Sequence, residues 1–190
     1  MITHTRRLEI EYAVVELLEE YDLTTYPISI KAVLESLQID LVPYSSLNER
    51  EKHLTDLASQ DKAFNITSRD YMRAQVICDN TRDSYFKRSR FSGGHETGHI
   101  WLGHEEYTPN REDEANYFAG YLLVPHPLIL AMNNPSPFSI CEQFGVSEDC
   151  ALIAIAQANN RKSEGTPWRS HEKWLLNHVE WKGGGSLGRP

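Results

Sequence analysis

Residues 95–99 read His95-Glu96-Thr97-Gly98-His99 and place two imidazoles four residues apart. Four residues advance an α-helix by about 6 Å and about 400°, so both rings lie on nearly the same face. Two neutral imidazole nitrogens one turn apart can hold one zinc ion, at about 2.0–2.1 Å each. Glu96 points about 100° away from His95, where it can act as a general base on a metal-bound water without being a ligand. The stretch therefore predicts a catalytic zinc site on a helix.

The residues on either side of this motif support a buried helix. They are all uncharged: Ser92, Gly93, Gly94, Ile100, Trp101 and Leu102. The alternative, a surface helix with two incidental histidines, would carry charges at these positions. We predict a helix from Ser84 to Leu102 that stops at Gly103, the usual residue type after a helix end. The Gly93-Gly94 pair costs helix propensity, about 1 kcal/mol each relative to Ala, which is tolerable if something must approach the backbone closely.

A catalytic zinc takes three protein ligands and keeps one position open. A third histidine at the spacing His-Glu-x-x-His-x-x-Gly-x-x-His is rejected, because Gly103 and His104 are both out of register. A second predicted helix, Glu112–Val124, offers a carboxylate instead. Glu114 lies one turn before Phe118 on its apolar face, where a carboxylate needs a partner. Glu114 is the predicted third ligand; Glu112 is the alternative, because it points to a different side.

Length, charge and cysteine content restrict the class of protein. The chain has 190 residues and a net charge of −8, and no basic run exceeds two residues, so nucleic acid is not expected as a direct partner. Three cysteines without a Cys-x-x-Cys pair favour neither a disulfide framework nor a cysteine zinc site. No signal-peptide core and no apolar run of about 20 residues is present, so we expect no membrane association and a cytoplasmic location.

The region before the motif predicts two helices and a small sheet. The first helix covers about residues 6–21, and the second follows Ser29 as its N-cap. The predicted strands are Ile39–Tyr44, Ala63–Thr67 and Arg73–Cys78, the last two forming a hairpin. We expect an α+β, mainly helical fold with a small three-stranded antiparallel sheet. Its edge strand could pair with an extended peptide, or the sheet could be purely structural.

The region after the motif predicts a helical support. Leu128–Met132 is a short helix, and helices over Phe138–Phe144 and Ser147–Asn159 are joined by Gly145-Val146, as in a helix-turn-helix. The second of these opens with acidic residues and has no Lys or Arg before Arg161, so phosphate contact is not expected. A last amphipathic helix carries His171 and His178, interpreted as surface or packing residues. The predicted organisation is a core over 1–132, a C-terminal helical segment over 133–182, and a flexible tail over 183–190.

Three blocks in order resemble the ImmA/IrrE family of zinc metallopeptidases. The blocks are Arg90–His99, Glu114–Ala119 and Leu122–Pro125, and Phe144–Ser147 matches the helical segment that follows in these proteins. The resemblance implies a zincin-like metallopeptidase fold, Zn²⁺ at His95, His99 and Glu114, and Glu96 as the base. It also implies a bacterial or mobile-element origin and cleavage of a helix-turn-helix repressor, which would derepress mobile-element or stress genes. Gly93-Gly94 and Val124 depart from the family pattern, and the glycines are expected to loosen the helix and weaken metal affinity.

The sequence leaves the oxyanion donor and the mode of action open. Tyr107, His104, Tyr117 and His126 are the candidates for oxyanion or substrate contacts. Residues 45–62 could fold over the cleft. A non-catalytic binding module that controls a repressor by contact is an alternative, although the presence of Glu96 argues against it. A toxin-like protease with broad action is a third possibility.

Overall fold

Helices make up most of the chain that the computed structural model describes, which is residues 2–43, 46, 63–66, 75–78, 86–106 and 108–182. The helices in these ranges are α1 (His4–Glu20), α2 (Ile30–Ser36), α3 (Phe86–Trp101), α4 (Pro109–Leu123), α5 (His126–Leu130), α6 (Pro137–Phe144), α7 (Glu148–Ser163) and α8 (Ser170–His178). The strands are β1 (Thr25–Tyr26), β2 (Asp40–Pro43), β3 (Ala63–Ile66), β4 (Gln75–Cys78) and β5 (Glu180–Trp181). The predicted α+β, mainly helical class is confirmed. None of these helices combines the length and apolarity that a membrane span requires.

The three-stranded sheet is mixed, in the order β2-β4-β3. Strands β3 and β4 are antiparallel, with Phe64 opposite Ile77, as the hairpin prediction requires. Strand β2 joins the other side of β4 in parallel, with Leu41 opposite Val76, so the prediction of a fully antiparallel sheet is wrong. Side-chain alternation indicates a strand but not its direction, and the connection between β2 and β4 is long enough for a parallel crossover.

Helix α1 confirms the predicted first helix and supplies part of the core. Thr3 caps it by accepting a hydrogen bond from the Arg6 backbone N–H. Ile10, Val14 and Leu17 are fully buried on the face that packs against α4 and α8. Ser29 caps α2 as predicted, accepting from the Ala32 backbone N–H.

Helix α3 approaches its neighbours closely through its glycines. It is continuous through Gly93 and Gly94, and its predicted beginning at Ser84 lies outside the described residues. A Cβ on Gly93 would be 2.7 Å from Ile30 Cγ2 of α2, and one on Gly98 would be 3.1 Å from Phe118 Cβ of α4. Gly103, at a φ of +67°, follows the helix end as predicted. Gly93 and Gly98 thus let α2 and α4 pack directly on the backbone of the motif helix.

Helix α4 begins at Pro109, earlier than the sequence predicts. Thr108 caps it by accepting from the Arg111 backbone N–H. Proline is favoured in the first helical turn because its missing N–H has no partner there anyway. The predicted beginning at Glu112 is therefore three residues late, and Glu112 belongs to the first turn of the helix.

The C-terminal helices are fixed to the N-terminal part of the chain. Strand β5 pairs with β1 in parallel, with Tyr26 opposite Trp181. The buried Arg90 of α3 donates to the carbonyls of Phe144 and Gly145 at the end of α6, and to Ile28 O at 2.8 Å. The tail over 183–190 lies outside the described residues.

A buried ionic network lies where α8 meets α1 and α7. Arg161 Nη2 donates to Glu172 Oε2 at 2.8 Å. His171 Nε2 is 3.1 Å from Glu11 Oε2, which places His171 among buried packing residues rather than at the surface. Burial raises the pKa of Glu172, but the nearby His126, the Arg161 guanidinium and the Arg169 backbone N–H outweigh it, so this pKa lies below its ordinary value of 4.5.

Candidate metal centre

His95 and His99 point their Nε2 atoms at the same place from successive turns of α3. The two nitrogens are 3.0 Å apart, and the ring centroids are 4.7 Å apart. Both side chains are partly exposed, so an ion could reach them from solvent. The spacing of the motif therefore produces the pair of donors that the sequence predicts.

Glu112 completes a triangle of donors with the two histidines. Its Oε2 lies 3.3 Å from His95 Nε2, and its Oε1 lies 3.0 Å from His99 Nε2. Two donors at about 2.0–2.1 Å from one tetrahedral zinc ion are separated by about 3.3 Å. Among the residues that the structure describes, these three form a group that could hold a metal ion. Two imidazoles and one carboxylate also match the ligand set of a common class of catalytic zinc site.

Glu114, the third ligand predicted from the sequence, faces a different set of partners. Its Oε2 accepts a hydrogen bond from Arg6 Nη2 at 2.7 Å and lies 3.2 Å from His104 Nε2. Two residues along a helix differ by about 200° in direction, so Glu112 and Glu114 cannot face the same point on α3. The sequence argument placed Glu114 through its register with Phe118, but the face that enters the core is not the face that meets the histidines. Glu112, the alternative, is the correct neighbour of the donors.

Each histidine is also held at its second nitrogen. His95 Nδ1 is 3.0 Å from Asn116 Oδ1, and His99 Nδ1 is 3.0 Å from His104 Nδ1. Sequence reasoning missed the role of Asn116, although its position one turn after Glu112 is a signal that could have found it. Contacts of this kind orient metal-binding imidazoles and fix their tautomer.

The electrostatics of the site favour neutral imidazoles. Burial, with the neighbouring His95, His104 and Arg111, lowers the pKa of His99 to about 4. Burial also lowers the pKa of His104, against the opposing effect of Glu114. The hydrogen bond from Arg6 holds the pKa of Glu114 below its ordinary value. At neutral pH His99 can therefore offer a lone pair, as metal binding requires.

Glu96, the predicted general base, follows His95 on α3 and is 7% exposed. Its side chain is thus largely shielded from bulk water, one residue after a donor of the triangle. A base in a shielded position transfers protons to and from a bound reactant rather than to solvent.

The candidates for oxyanion or substrate contacts have other partners where they are described. Tyr117 donates its hydroxyl proton to Glu11 Oε1 at 2.6 Å, which turns it toward α1. His126, at the start of α5, is buried against Tyr121, and its Nε2 lies 3.7 Å from Glu172 Oε1 of α8. The Nδ1 atom of His104 contacts Nδ1 of His99 at 3.0 Å. Tyr107 and the segment 45–62 lie outside the described residues.

A comparison with protein-family models finds the peptidase family described as the IrrE N-terminal-like domain, matched over residues 50–155. The chain belongs to this family. The predicted resemblance to the ImmA/IrrE family is thereby confirmed, and the match includes both histidines, Glu96 and Glu112. Searches of curated proteins and of solved structures found no match to the chain. Membership of the IrrE family identifies the chain as a metallopeptidase-like domain.

Proposed function

We propose that this chain is a zinc-dependent endopeptidase whose metal is held by His95, His99 and Glu112. The observation that carries the proposal is the donor triangle, with separations of 3.0, 3.0 and 3.3 Å. Glu96, a buried residue, directly follows His95 on the same helix. Binding without catalysis would have no need of such a base next to the donors.

Different residues of the chain serve different roles in peptide hydrolysis. Zinc, when bound, polarises a carbonyl oxygen and lowers the pKa of water toward about 7. Glu96 accepts the proton of the attacking water and returns it to the leaving amine. The imidazoles of His95 and His99 hold their orientation through Asn116 and His104. The largely dry position of Glu96 keeps the proton on the path between water and amine.

Two features of the described chain suit an extended peptide substrate. A groove of about 640 Å³ lies between α4 and α7, and its lining includes Asn116, Phe91 and Ile153. Asn116, which lines the groove, also contacts His95, so one residue links the groove to the donor triangle. Strand β3 lies at one edge of the sheet and packs beside α3, where a peptide could add as a further strand.

The proposed substrate is a helix-turn-helix transcriptional repressor, as the family resemblance implies. The net charge of −8 favours encounter with a basic DNA-binding protein. Cleavage would derepress mobile-element or stress genes. The reaction would take place in the cytoplasm, where such a repressor acts.

The test is co-expression with a candidate helix-turn-helix repressor, chosen from the genes that neighbour this one, followed by incubation of the purified pair with and without a chelator. We expect two repressor fragments from the wild type, none from Glu96→Gln, and none with chelator. Glu105→Gln is the matched control, because Glu105 carries an exposed carboxylate shortly after the end of α3. This variant should cleave the repressor as the wild type does. Normal cleavage by Glu96→Gln would overturn the mechanism.

The same assay separates the other possibilities. An intact repressor that is bound and released from its operator would indicate a regulator that acts by contact. Fragmentation of casein and other unrelated proteins would indicate a toxin-like protease.

A further inference from the structure

We propose that His104, Glu114 and Arg6 form a hydrogen-bonded chain that positions His99 and fixes which of its nitrogens is free to bind metal. The inference rests on the proposed function, since His99 is a ligand only if the donor triangle binds a metal. It assigns a role to Glu114, the carboxylate that does not reach the triangle. It also ties the first turn of α1 to the metal centre.

The chain is continuous in the structure. Arg6 Nη2 donates to Glu114 Oε2 at 2.7 Å. The same oxygen is 3.2 Å from His104 Nε2, and His104 Nδ1 is 3.0 Å from His99 Nδ1. His99 Nε2, the last atom of the series, lies 3.0 Å from the Glu112 carboxylate.

The hydrogen-bond partners along the chain decide where each proton lies. The Glu114 oxygen that accepts from Arg6 also faces His104 Nε2, so His104 donates to it from Nε2. The other nitrogen of the His104 ring, Nδ1, then presents its lone pair to His99. His99 must donate to it from Nδ1, which leaves the lone pair of His99 on Nε2, facing the donor triangle. The opposite arrangement would put a lone pair of His104 against a carboxylate and a proton of His99 where the metal belongs.

Burial makes these contacts effective. The side chain of His104 is 5% exposed and that of Glu114 is 17% exposed, so water competes little for either. His95 Nδ1, by contrast, contacts the neutral amide of Asn116. Behind His104 lies the Glu114 carboxylate, which polarises the His104 ring and so strengthens its Nδ1 as the acceptor for the His99 proton. We therefore expect His99 to be the histidine whose support contributes most to metal affinity.

The experiment measures the zinc dissociation constant by competition with a chelator, in variants of the chain. His104→Phe keeps the ring volume but removes the acceptor, and Glu114→Gln removes the charge. Each should weaken zinc binding by about 10–100-fold. His104→Asn places an amide oxygen near the position of Nδ1 but has no contact with Glu114, so its loss should be smaller than that of His104→Phe and no smaller than that of Glu114→Gln. Glu9→Gln is the control, because it removes the other, exposed carboxylate that pairs with Arg6 and should change affinity less than about twofold.

A second readout follows the proton itself. In ¹H–¹⁵N spectra of the zinc-loaded protein, the His99 Nδ1 proton should exchange slowly in the wild type and in His104→Asn. It should exchange rapidly in His104→Phe. Thermal unfolding of each metal-free variant shows whether the fold is retained, and Glu114→Gln remains informative if His104→Phe does not fold.

The outcomes separate this inference from the proposed function. Wild-type affinity in both His104→Phe and Glu114→Gln would overturn the inference, as would equal losses in His104→Phe and His104→Asn. Glu112→Gln reports on the ligand set alone. Wild-type zinc affinity in that variant would refute the donor triangle, whichever way the His104 variants behave.

Discussion

Gly98→Ala tests whether close packing of α3 on α4 holds the site together. A Cβ at Gly98 would lie 3.1 Å from Phe118 Cβ and 3.2 Å from Ala115 Cα. One of these neighbours is backbone and the other is a side-chain atom fixed directly to it. Since ordinary carbon contacts are about 3.5–4.0 Å, α4 must move away from α3 to admit the methyl group.

Gly94→Ala supplies the matched control on the same helix. There the nearest atom to the added Cβ would be Ala119 Cβ at 3.4 Å, close to an ordinary contact. Both substitutions gain about 1 kcal/mol of helix propensity, so this gain cancels between them. The difference isolates the cost of overpacking, about 1–3 kcal/mol. We expect Gly94→Ala to be neutral or stabilising by up to about 1 kcal/mol, and Gly98→Ala to be less stable by about 1–3 kcal/mol than Gly94→Ala.

The assay is urea unfolding of both variants in the presence of a chelator, which removes any contribution of bound metal. Zinc affinity is measured separately, because displacement of α4 would also carry Glu112 away from His95 and His99. Equal free energies of unfolding for the two alanine variants would refute the close-packing argument. Wild-type zinc affinity in a clearly destabilised Gly98→Ala would refute the separate claim that this packing holds Glu112 beside the two histidines.

Three further predictions concern stability. Arg90→Ala should lower the free energy of unfolding by about 2–4 kcal/mol, because three buried or part-buried carbonyls lose a charged donor. Urea unfolding measures this loss, with the exposed Lys87→Ala as the control. Glu172→Gln should cost up to about 3–5 kcal/mol at pH 7, because the buried Arg161 loses its Glu172 partner and keeps the longer, 3.5 Å contact to Glu164. Because the pKa of Glu172 is lower in the folded state than in the unfolded state, ionised Glu172 stabilises the fold above pH 4.5, and this stabilisation is lost as the pH falls toward the folded pKa. Glu172→Gln should therefore lose less stability than the wild type between pH 5 and pH 3. A steeper loss in the variant would contradict this. Zinc at 100 times its dissociation constant should stabilise the protein by about 2.7 kcal/mol, raising the unfolding temperature by about 5–10 °C, and an unchanged temperature would argue against a site in the folded state.

The local features of the site follow from the sequence because they depend on one helix. The spacing of four between His95 and His99 fixes a shared face whatever the rest of the chain does. The same holds for Ser29 as a cap and Gly103 as a stop, which depend only on neighbouring residues. Family membership was also predictable, since the blocks that carry it are contiguous motifs.

The features that failed depend on how two elements meet. Glu114 was favoured because it shares a face with Phe118, but only the packing of α4 on α3 determines which carboxylate meets the histidines. The parallel pairing of β2 with β4 likewise depends on a long connection and not on either strand. The Gly93-Gly94 pair, expected to loosen the helix, lies in a continuous α3, where Gly93 admits Ile30 of α2.

The most direct test of the central claim is anomalous diffraction at the zinc edge from crystals of the zinc-loaded protein. We expect a single strong peak about 2.0–2.2 Å from His95 Nε2, His99 Nε2 and a Glu112 carboxylate oxygen, with Glu114 still paired to Arg6. A peak bonded to Glu114, or no peak at the two histidines, would contradict the account.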